Sequence, residues 1–341
     1  MHTRGRLTAL AVGLLLLSAQ WPAVAGSAFP YHRERRITLP AAGRVHALLF
    51  DPQTREIYAA QGRRIEAYSL TGAKPTVQRR LAGTVSALAR NGAGEIVAAV
   101  RAPAQLVFLS ERTLTVEHRR ALDAQPPTAM LYDRSAGMLF VESRSNGSIV
   151  RVDPASGRPL GRVRLTGALG QMAGNGRGTL YVADATRDSL EVIDARAMRD
   201  EGSIVLRRCQ APSGLTMDPI GRRLFVGCAN GRALIVDADL GFTFVRLPIP
   251  GGPHLRAAFA FHPWGAHGWK GGAFFAGTAA VAAIQMQAFV RYRDHGQLPL
   301  PTRCTALALA APAGEVWLAL APPPGGRAVL WALGADPSEV E

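Results

Sequence analysis

The side chains best suited to chemistry are arginines, histidines and small polar residues that recur at matching places in a repeat of about 42 residues. They lie on or near segments that lead into short apolar runs: Arg44, His46, Thr128, Gln171, Ser213, His254 and Arg303. Guanidinium and imidazole groups suit carboxylates and phosphates. If the fold brings these segments together, the sequence predicts a binding site for a small anion. The alternative, solvated loop residues without a ligand, stays open for each member.

His254, His262 and His267 form the only dense histidine group in the chain. An apolar run separates His254 from His262, and in an extended strand of roughly 3.3 Å per residue the two would lie about 20 Å apart. One metal ion therefore cannot bind all three from a single unit. His262 and His267 could share a metal with ligands from elsewhere, but no carboxylate lies in that segment. The sequence predicts no metal site and no cofactor.

A glycine-rich insertion at positions 262–272 has the sequence HPWGAHGWKGG. Exposed aromatic side chains bind well at protein interfaces. We therefore expect a partner-binding loop formed by His262, Trp264, His267, Trp269 and Lys270. The alternative is that Trp264 or Trp269 folds back onto the rest of the protein.

The three cysteines are Cys209, Cys228 and Cys304. A hairpin that turns at 218–222 would bring Cys209 and Cys228 to the same end of two adjacent strands, and we expect a disulfide between them in an oxidising compartment. Cys304 is then left over. No CxxCH motif is present, which excludes covalently attached c-type haem.

The sequence contains none of the common catalytic motifs. It has no GxSxG nucleophile elbow and no cysteine with a positioned histidine. The run GNGRG at 174–178 fits a turn between strands rather than a nucleotide-binding loop, which joins a strand to a helix. These observations favour binding over catalysis.

Strands and tight turns must position the candidate residues. Three consecutive units read strand, polar turn, strand: LFVESRSNGSIVRVD (139–153), LYVADATRDSLEVID (180–194) and LFVGCANGRALIVD (224–237). The apolar pair that opens each unit recurs at seven places: Ile57-Tyr58, Ile96-Val97, Leu139-Phe140, Leu180-Tyr181, Leu224-Phe225, Phe274-Phe275 and Val316-Trp317. Their spacing matches one four-stranded propeller blade. The sequence predicts an all-β fold, a single seven-bladed β-propeller of four-stranded blades.

The two ends of the chain are predicted to meet. The last unit ends after its third strand, and Arg35 to Leu39 carries the basic signature of the outermost strands. We expect this segment to supply the fourth strand of the seventh blade, because no long edge is then left unpaired. The alternative is a disordered N-terminal tail. The propeller is expected over residues 26–333, followed by a disordered tail at 334–341.

Residues 1–25 have the pattern of a secretory signal peptide: a basic start, an apolar stretch and the small residues Ala23-Val24-Ala25. We therefore expect a periplasmic or secreted protein. Residues 271–290 carry no charge and have the length of a membrane-spanning helix. Glycines, alanines and two glutamines dilute this run, so we expect strands there and no transmembrane segment.

The formal net charge is +14, and only Lys74 and Lys270 among the 39 basic residues are lysines. Many arginines fall in the expected outermost strands, where charge discourages edge-to-edge pairing. Such a belt could also attract acidic partners or an anionic envelope surface. No nucleic-acid-binding motif is present, so nucleic acid is not an expected partner.

The three clear units resemble the YVTN-type β-propeller repeat. The match is best at Tyr181-Val182-Ala183-Asp184, followed by Val192-Ile193-Asp194. Asp184 stands where that repeat usually has asparagine, and blades one, two, six and seven match only in period and hydrophobic pattern. Proteins of this type are commonly exported binding or accessory proteins, and similar rings include lactonases and subunits of periplasmic dehydrogenases.

The resemblance and the residues together give one functional hypothesis and one alternative. The hypothesis is an exported, non-catalytic propeller, expected to be a monomer, that binds a partner protein or a small anion, accessory to a periplasmic redox or envelope system. The alternative is a lactonase-like hydrolase with its site at the mouth of the central channel. Such an enzyme needs converging carboxylates or a metal, whereas the candidate residues at the mouth are basic or neutral.

Overall fold

The computed structural model describes residues 29–122, 126–260, 271–288, 291–310 and 314–335. These residues form seven four-stranded antiparallel sheets, which confirms the predicted seven-bladed β-propeller. The first strand of each blade contacts the corresponding strands of neighbouring blades, so these innermost strands surround a central channel. No helix within the described ranges is long and apolar enough to cross a membrane.

Blades one to three follow one another along the chain, and each runs from its innermost to its outermost strand. Their strands are β2 (Val45–Asp51), β3 (Glu56–Gln61), β4 (Arg64–Ser69) and β5 (Val77–Arg80); β6 (Val85–Arg90), β7 (Glu95–Arg101), β8 (Ala104–Ser110) and β9 (Val116–Ala121); β10 (Ala129–Asp133), β11 (Met138–Ser143), β12 (Ser148–Val152) and β13 (Pro159–Arg164).

Blades four to six repeat this order. Their strands are β14 (Leu169–Gly174), β15 (Thr179–Asp184), β16 (Ser189–Asp194) and β17 (Arg199–Val205); β18 (Pro212–Asp218), β19 (Arg223–Cys228), β20 (Arg232–Asp237) and β21 (Thr243–Pro248); β22 (Arg256–Ala260), β23 (Gly272–Ala276), β24 (Ala280–Ala288) and β25 (Arg291–Pro299). The uncharged run after residue 270 thus forms strands β23 and β24, as predicted.

The seventh blade contains both ends of the described chain. It consists of β26 (Cys304–Ala310), β27 (Glu315–Leu320), β28 (Arg327–Ala335) and the first strand, β1 (Tyr31–Ala42). β1 runs antiparallel to β28, with Ile37 opposite Leu330. The predicted closure of the ring is therefore confirmed. β28 continues two residues past the expected end at Leu333, because Tyr31 and His32 extend the pairing.

Aspartates terminate many of the strands and set the turns that follow. Asp51, at the end of β2, accepts a hydrogen bond from the backbone N–H two residues on, at 2.9 Å. Asp218 at the end of β18 and Asp237 at the end of β20 make the same bond at 2.9 Å. This Asx turn gives the chain a local alternative to continuing the strand, which explains how short strands and tight turns can alternate.

The apolar core lies between neighbouring blades. Ile57 of blade one and Trp317 of blade seven belong to one buried cluster, and Tyr181 of blade four packs with Leu224 of blade five in another. The second strands are covered on both faces by adjacent blades, and for this reason they read as continuous apolar runs in the sequence. The seven apolar pairs found there all fall in these second strands.

A disulfide joins Cys209, in the segment before β18, to Cys228 at the end of β19. Both sulfur atoms lie at the same end of blade five, as the hairpin predicted. Cys304 is buried and is not in a disulfide.

Candidate functional site

A cavity of about 250 Å³ opens at the end of the channel where the innermost strands begin. Blades one, two, three, six and seven contribute to it, and we call it the mouth cavity. Its lining is mostly polar: Arg44, Val45, His46, Ser86, Arg101, Thr128, Arg144, His254, Arg256, Arg303, Cys304 and Thr305.

Five of the seven residues proposed for this mouth from the sequence line the cavity: Arg44, His46, Thr128, His254 and Arg303. They converge because each lies just before or at the start of an innermost strand, and those starts meet around the channel axis. His254 has a left-handed backbone, with φ of 61°. That conformation is uncommon for a residue other than glycine and is found most often in turns and functional sites.

The other two residues, Gln171 and Ser213, do not line the mouth cavity. The Gln171 side-chain oxygen accepts hydrogen bonds from the backbone N–H groups of Leu215 (3.3 Å) and Ala257 (2.7 Å). The Ser213 hydroxyl accepts one from the N–H of Leu255 at 2.9 Å. These polar groups connect neighbouring innermost strands, so their hydrogen-bonding capacity is used within the protein.

Three further arginines line the mouth cavity, and none of them was predicted from the sequence. Arg101 ends β7, Arg144 lies in the turn after β11, and Arg256 begins β22. Arg101 and Arg144 belong to second strands and their hairpins, whereas the residues expected at the mouth lie on or near segments entering innermost strands. Arg256 is two residues from His254, and this proximity is the one feature of the sequence that indicates a place for it at the mouth.

Arg144, which lines the mouth cavity, begins a short 3₁₀ turn at Arg144–Asn146. The turn ends at Gly147, with φ of 62°, where an added Cβ would overlap the carbonyl oxygen of Leu165. Arg144 Nε lies 3.0 Å from Oε1 of Glu142, and Nη2 donates to the carbonyl of Gly170 at 3.1 Å. The buried carboxylate and the carbonyl hold the guanidinium in one orientation.

The mouth cavity has an excess of positive charge. Within the described part of the chain, the side chains of Arg44, Arg101 and Arg303 form no ion pair or hydrogen bond. Among the described residues, the lining includes no carboxylate. Glu142, which pairs with Arg144, is 0% exposed. Burial raises the pKa of Glu142, and Arg144 opposes that shift.

Arg256 is the arginine most enclosed by the site. Its Nε donates to the backbone carbonyl of Thr305 at 3.3 Å. Burial and the repulsion of Arg144, Arg44 and Arg303 lower its pKa from the usual value. A guanidinium remains charged at neutral pH even so, and its crowding means that an anion would relieve repulsion at this point.

The surroundings of the mouth lower the pKa values of both of its histidines. Burial, with the charges of Arg44 and Arg101, lowers the pKa of His46 to about 4. Burial and nearby arginines, Arg256 first among them, also lower the pKa of His254. A neutral imidazole can donate one hydrogen bond and accept another, so these rings add hydrogen-bonding capacity without adding charge.

We expect His46 to titrate near pH 4 in the free protein and at a higher pH when phosphate is bound. A bound anion favours the charged imidazolium, and this raises its pKa. NMR titration of the ring resonances measures both values. His295 on β25 is the matched control, because burial and Arg293 lower its pKa to about 4 as well and it does not line the mouth. An equal phosphate-induced shift at His295 would contradict a local effect.

The remaining expectations concern metal ions and a protein partner. No group of three or more histidine, cysteine or acidic residues suited to a metal ion occurs within the described ranges. The proposed partner-binding loop, with His262, Trp264, His267, Trp269 and Lys270, lies outside the described residues. Its role stays a prediction.

Comparison with known proteins identifies the fold alone. No protein-family model and no curated protein matches this sequence. A chain in a solved structure titled "Crystal Structure of Mitotic Checkpoint Complex" superposes with a TM-score of 0.72 and 12% identity. The match covers 98% of this chain and 100% of that chain. Matches extend to 1750 solved chains, so the fold is shared too widely to select a function.

Proposed function

We propose that this protein is a non-catalytic propeller that binds a small anion in the mouth cavity. The observation that carries the proposal is the convergence of five arginines from five blades on one cavity whose described lining includes no carboxylate. The side chains of three of them, Arg44, Arg101 and Arg303, have no partner among the described residues. A carboxylate or phosphate group would accept hydrogen bonds from several guanidinium groups at once.

Electrostatic repulsion among the arginines of the mouth destabilises the folded protein when no anion is bound. Like charges that share a partly buried site repel one another more strongly than they would in water, because the effective dielectric constant is lower. A bound anion removes that repulsion and binds only the folded ring, so it stabilises the native state in proportion to its occupancy. Anion binding is thus expected to raise the melting temperature as well as to release or absorb heat.

The hydroxyl and thiol groups of the lining support binding rather than catalysis. The Ser86 hydroxyl donates to the carbonyl of Pro127 at 2.7 Å, and the Thr305 hydroxyl donates to a backbone carbonyl of β27 at 3.2 Å. Burial raises the pKa of Cys304 to about 12, so its thiol is protonated at neutral pH. A nucleophile needs an adjacent base, and these groups are bonded to the backbone instead.

We further propose that the protein acts outside the cytoplasm, as an accessory to a periplasmic redox or envelope system. The pattern of residues 1–25 is that of a secretory signal. The Cys209–Cys228 disulfide is of the kind that persists in oxidising compartments. The resemblance to YVTN-type repeats supports the same location.

The test is calorimetric titration of the purified protein with inorganic phosphate. Replacing Arg44, Arg101 and Arg303 together with alanine is expected to weaken binding at least tenfold, since each loses a charge-assisted hydrogen bond worth about 1.5 to 3 kcal/mol. The fold should survive, because Arg44 and Arg101 are exposed and the side chains of all three form no hydrogen bond or ion pair with the described residues.

A matched control removes the same charge from the outer surface. Arg119, Arg162 and Arg164 are exposed on outermost strands, and replacing these three with alanine lowers the net charge equally. This control should bind phosphate nearly as well as the unmodified protein. An equal loss in both triple variants, or full binding by the mouth variant, would contradict the proposal.

A further inference from the structure

The mouth cavity continues inward as a second cavity of about 220 Å³, which we call the throat. The two cavities share six lining residues, among them His46, Arg144 and Arg256. Because these arginines line both spaces, an occupant of the mouth has direct access to the throat. The arrangement places the ring of charges at the entrance and a different environment immediately behind it.

The inner part of the throat, which the mouth does not share, is lined mainly by apolar residues, whereas the six shared residues are polar. Ten of the eleven lining residues that it does not share with the mouth are alanine, leucine or methionine, and the eleventh is Gln171. The larger side chains come from innermost strands of different blades: Leu48, Leu88, Met130, Leu131, Met172 and Leu307. Since the amide of Gln171 already bonds to backbone groups, the remaining polar side chains of the throat are the six that it shares with the mouth.

Part of this apolar surface is not covered by protein. Leu48, Met130 and Leu307 are only half-buried, whereas side chains between the blades, such as Ile57 and Phe140, are at most 1% exposed. Covering such surface with an apolar ligand is favourable, by about 25 cal/mol for each Å² removed from water. Apolar cavities in proteins bind apolar molecules for this reason.

We infer that the anion bound at the mouth is amphipathic, with its charged head among the arginines and an apolar chain in the throat. This inference rests on the proposed function, because the head must bind at the mouth. A carboxylate and a phosphate monoester fit the head position equally well, since both accept several hydrogen bonds from guanidinium groups. Beyond the throat, Leu88, Met130 and Leu131 also line a cavity of about 540 Å³, which could hold the end of a longer chain. The lining of that cavity also includes Arg90 and Arg134, so the apolar contact is expected mainly in the throat.

The experiment compares anions that share a head and differ in chain length. Methyl, butyl and octyl phosphate form one series, and acetate, butyrate and octanoate form the other; calorimetry gives each dissociation constant. Affinity is expected to rise by up to about fourfold for each methylene that enters the throat, the factor that corresponds to about 0.8 kcal/mol per buried CH₂. At matched chain length, the series with the higher affinity identifies the preferred head.

Substitutions in the throat test whether the gain in affinity with chain length arises there. Met130→Gln and, independently, Leu307→Gln should reduce the chain-length dependence while leaving the affinity for methyl phosphate or acetate unchanged, because the short anions do not reach the throat. Leu160→Gln is the control: Leu160 is 42% exposed on the outermost strand β13 and does not line the channel. It should retain the full dependence on chain length.

Two outcomes separate the inference from the function on which it rests. Equal affinity for the short and long members of each series, with binding that still depends on Arg44, Arg101 and Arg303, would overturn the amphipathic ligand and leave the anion site intact. Failure of every anion to bind would overturn the proposed function, and the inference with it.

Discussion

Replacing Leu39 with alanine is expected to lower the free energy of unfolding by about 2 to 5 kcal/mol, as for other fully buried leucines. Leu39 is 0% exposed and lies in β1, within the apolar cluster that joins blades one and seven. The strand that contains it closes the ring, so its loss of packing should weaken the contact between the two ends of the chain. Chemical denaturation measures the change.

The adjacent residue provides the control for this variant. Thr38 lies in the same strand and is exposed, so Thr38→Ala should change stability by less than about 0.5 kcal/mol. Hydrogen exchange adds a test that is specific to ring closure. Leu39→Ala should speed exchange in β28 as well as in β1, because the two strands are paired. Faster exchange confined to β1 would contradict closure through this strand.

Replacing both Cys209 and Cys228 with serine is expected to destabilise the protein by roughly 3 kcal/mol. The bridge joins cysteines 19 positions apart in the sequence, and restricting the unfolded chain by a loop of similar length stabilises a protein by about this amount. Thermal unfolding with and without a reductant measures the effect. The reductant should lower the melting temperature of the unmodified protein toward that of the variant.

Two observations check the assignment of the bridge. The melting temperature of the variant should not respond to reductant, because Cys304 is unpaired. Peptide mapping without reduction should recover Cys209 linked to Cys228. A crosslink that includes Cys304, or a protein whose stability is indifferent to reductant, would contradict the pairing.

The fold could be predicted because its elements leave direct signals in the sequence. The second strands are buried on both sides, so their apolar pairs recur once per blade and gave the number of blades. The cysteine pair was accessible to the same reasoning, since a hairpin fixes which residues are opposite each other. Closure by β1 followed from counting strands, because the last repeat lacked one.

The candidate site was only partly predictable. Arg44, His254 and Arg303 precede innermost strands and could be found from the repeat alone. The contribution of Arg101 and Arg144 depends on how far the ends of second strands lie from the channel axis, and the repeat carries no measure of that distance. Gln171 is polar and lies near the channel, but the sequence does not show that neighbouring strands use its amide.

The throat illustrates a different limit. An alanine or methionine that faces the channel has the same sequence signature as one that packs between blades, because both belong to apolar innermost strands. The sequence therefore does not distinguish a core position from a channel position for Met130 and Leu307. Only the arrangement of all seven blades decides between the two.

The closure of the ring also sets the order in which the site can be assembled. Arg44 follows β1 by two residues and is made early in synthesis, whereas Arg303 and Thr305 belong to the last blade. Gly43, between β1 and Arg44, donates a hydrogen bond to the carbonyl of Gly326 at 3.2 Å. The mouth is consequently complete only after the first and last strands have met. A chain that lacks the seventh blade lacks Arg303 and Thr305, so we expect anion binding at the mouth to require both ends of the propeller.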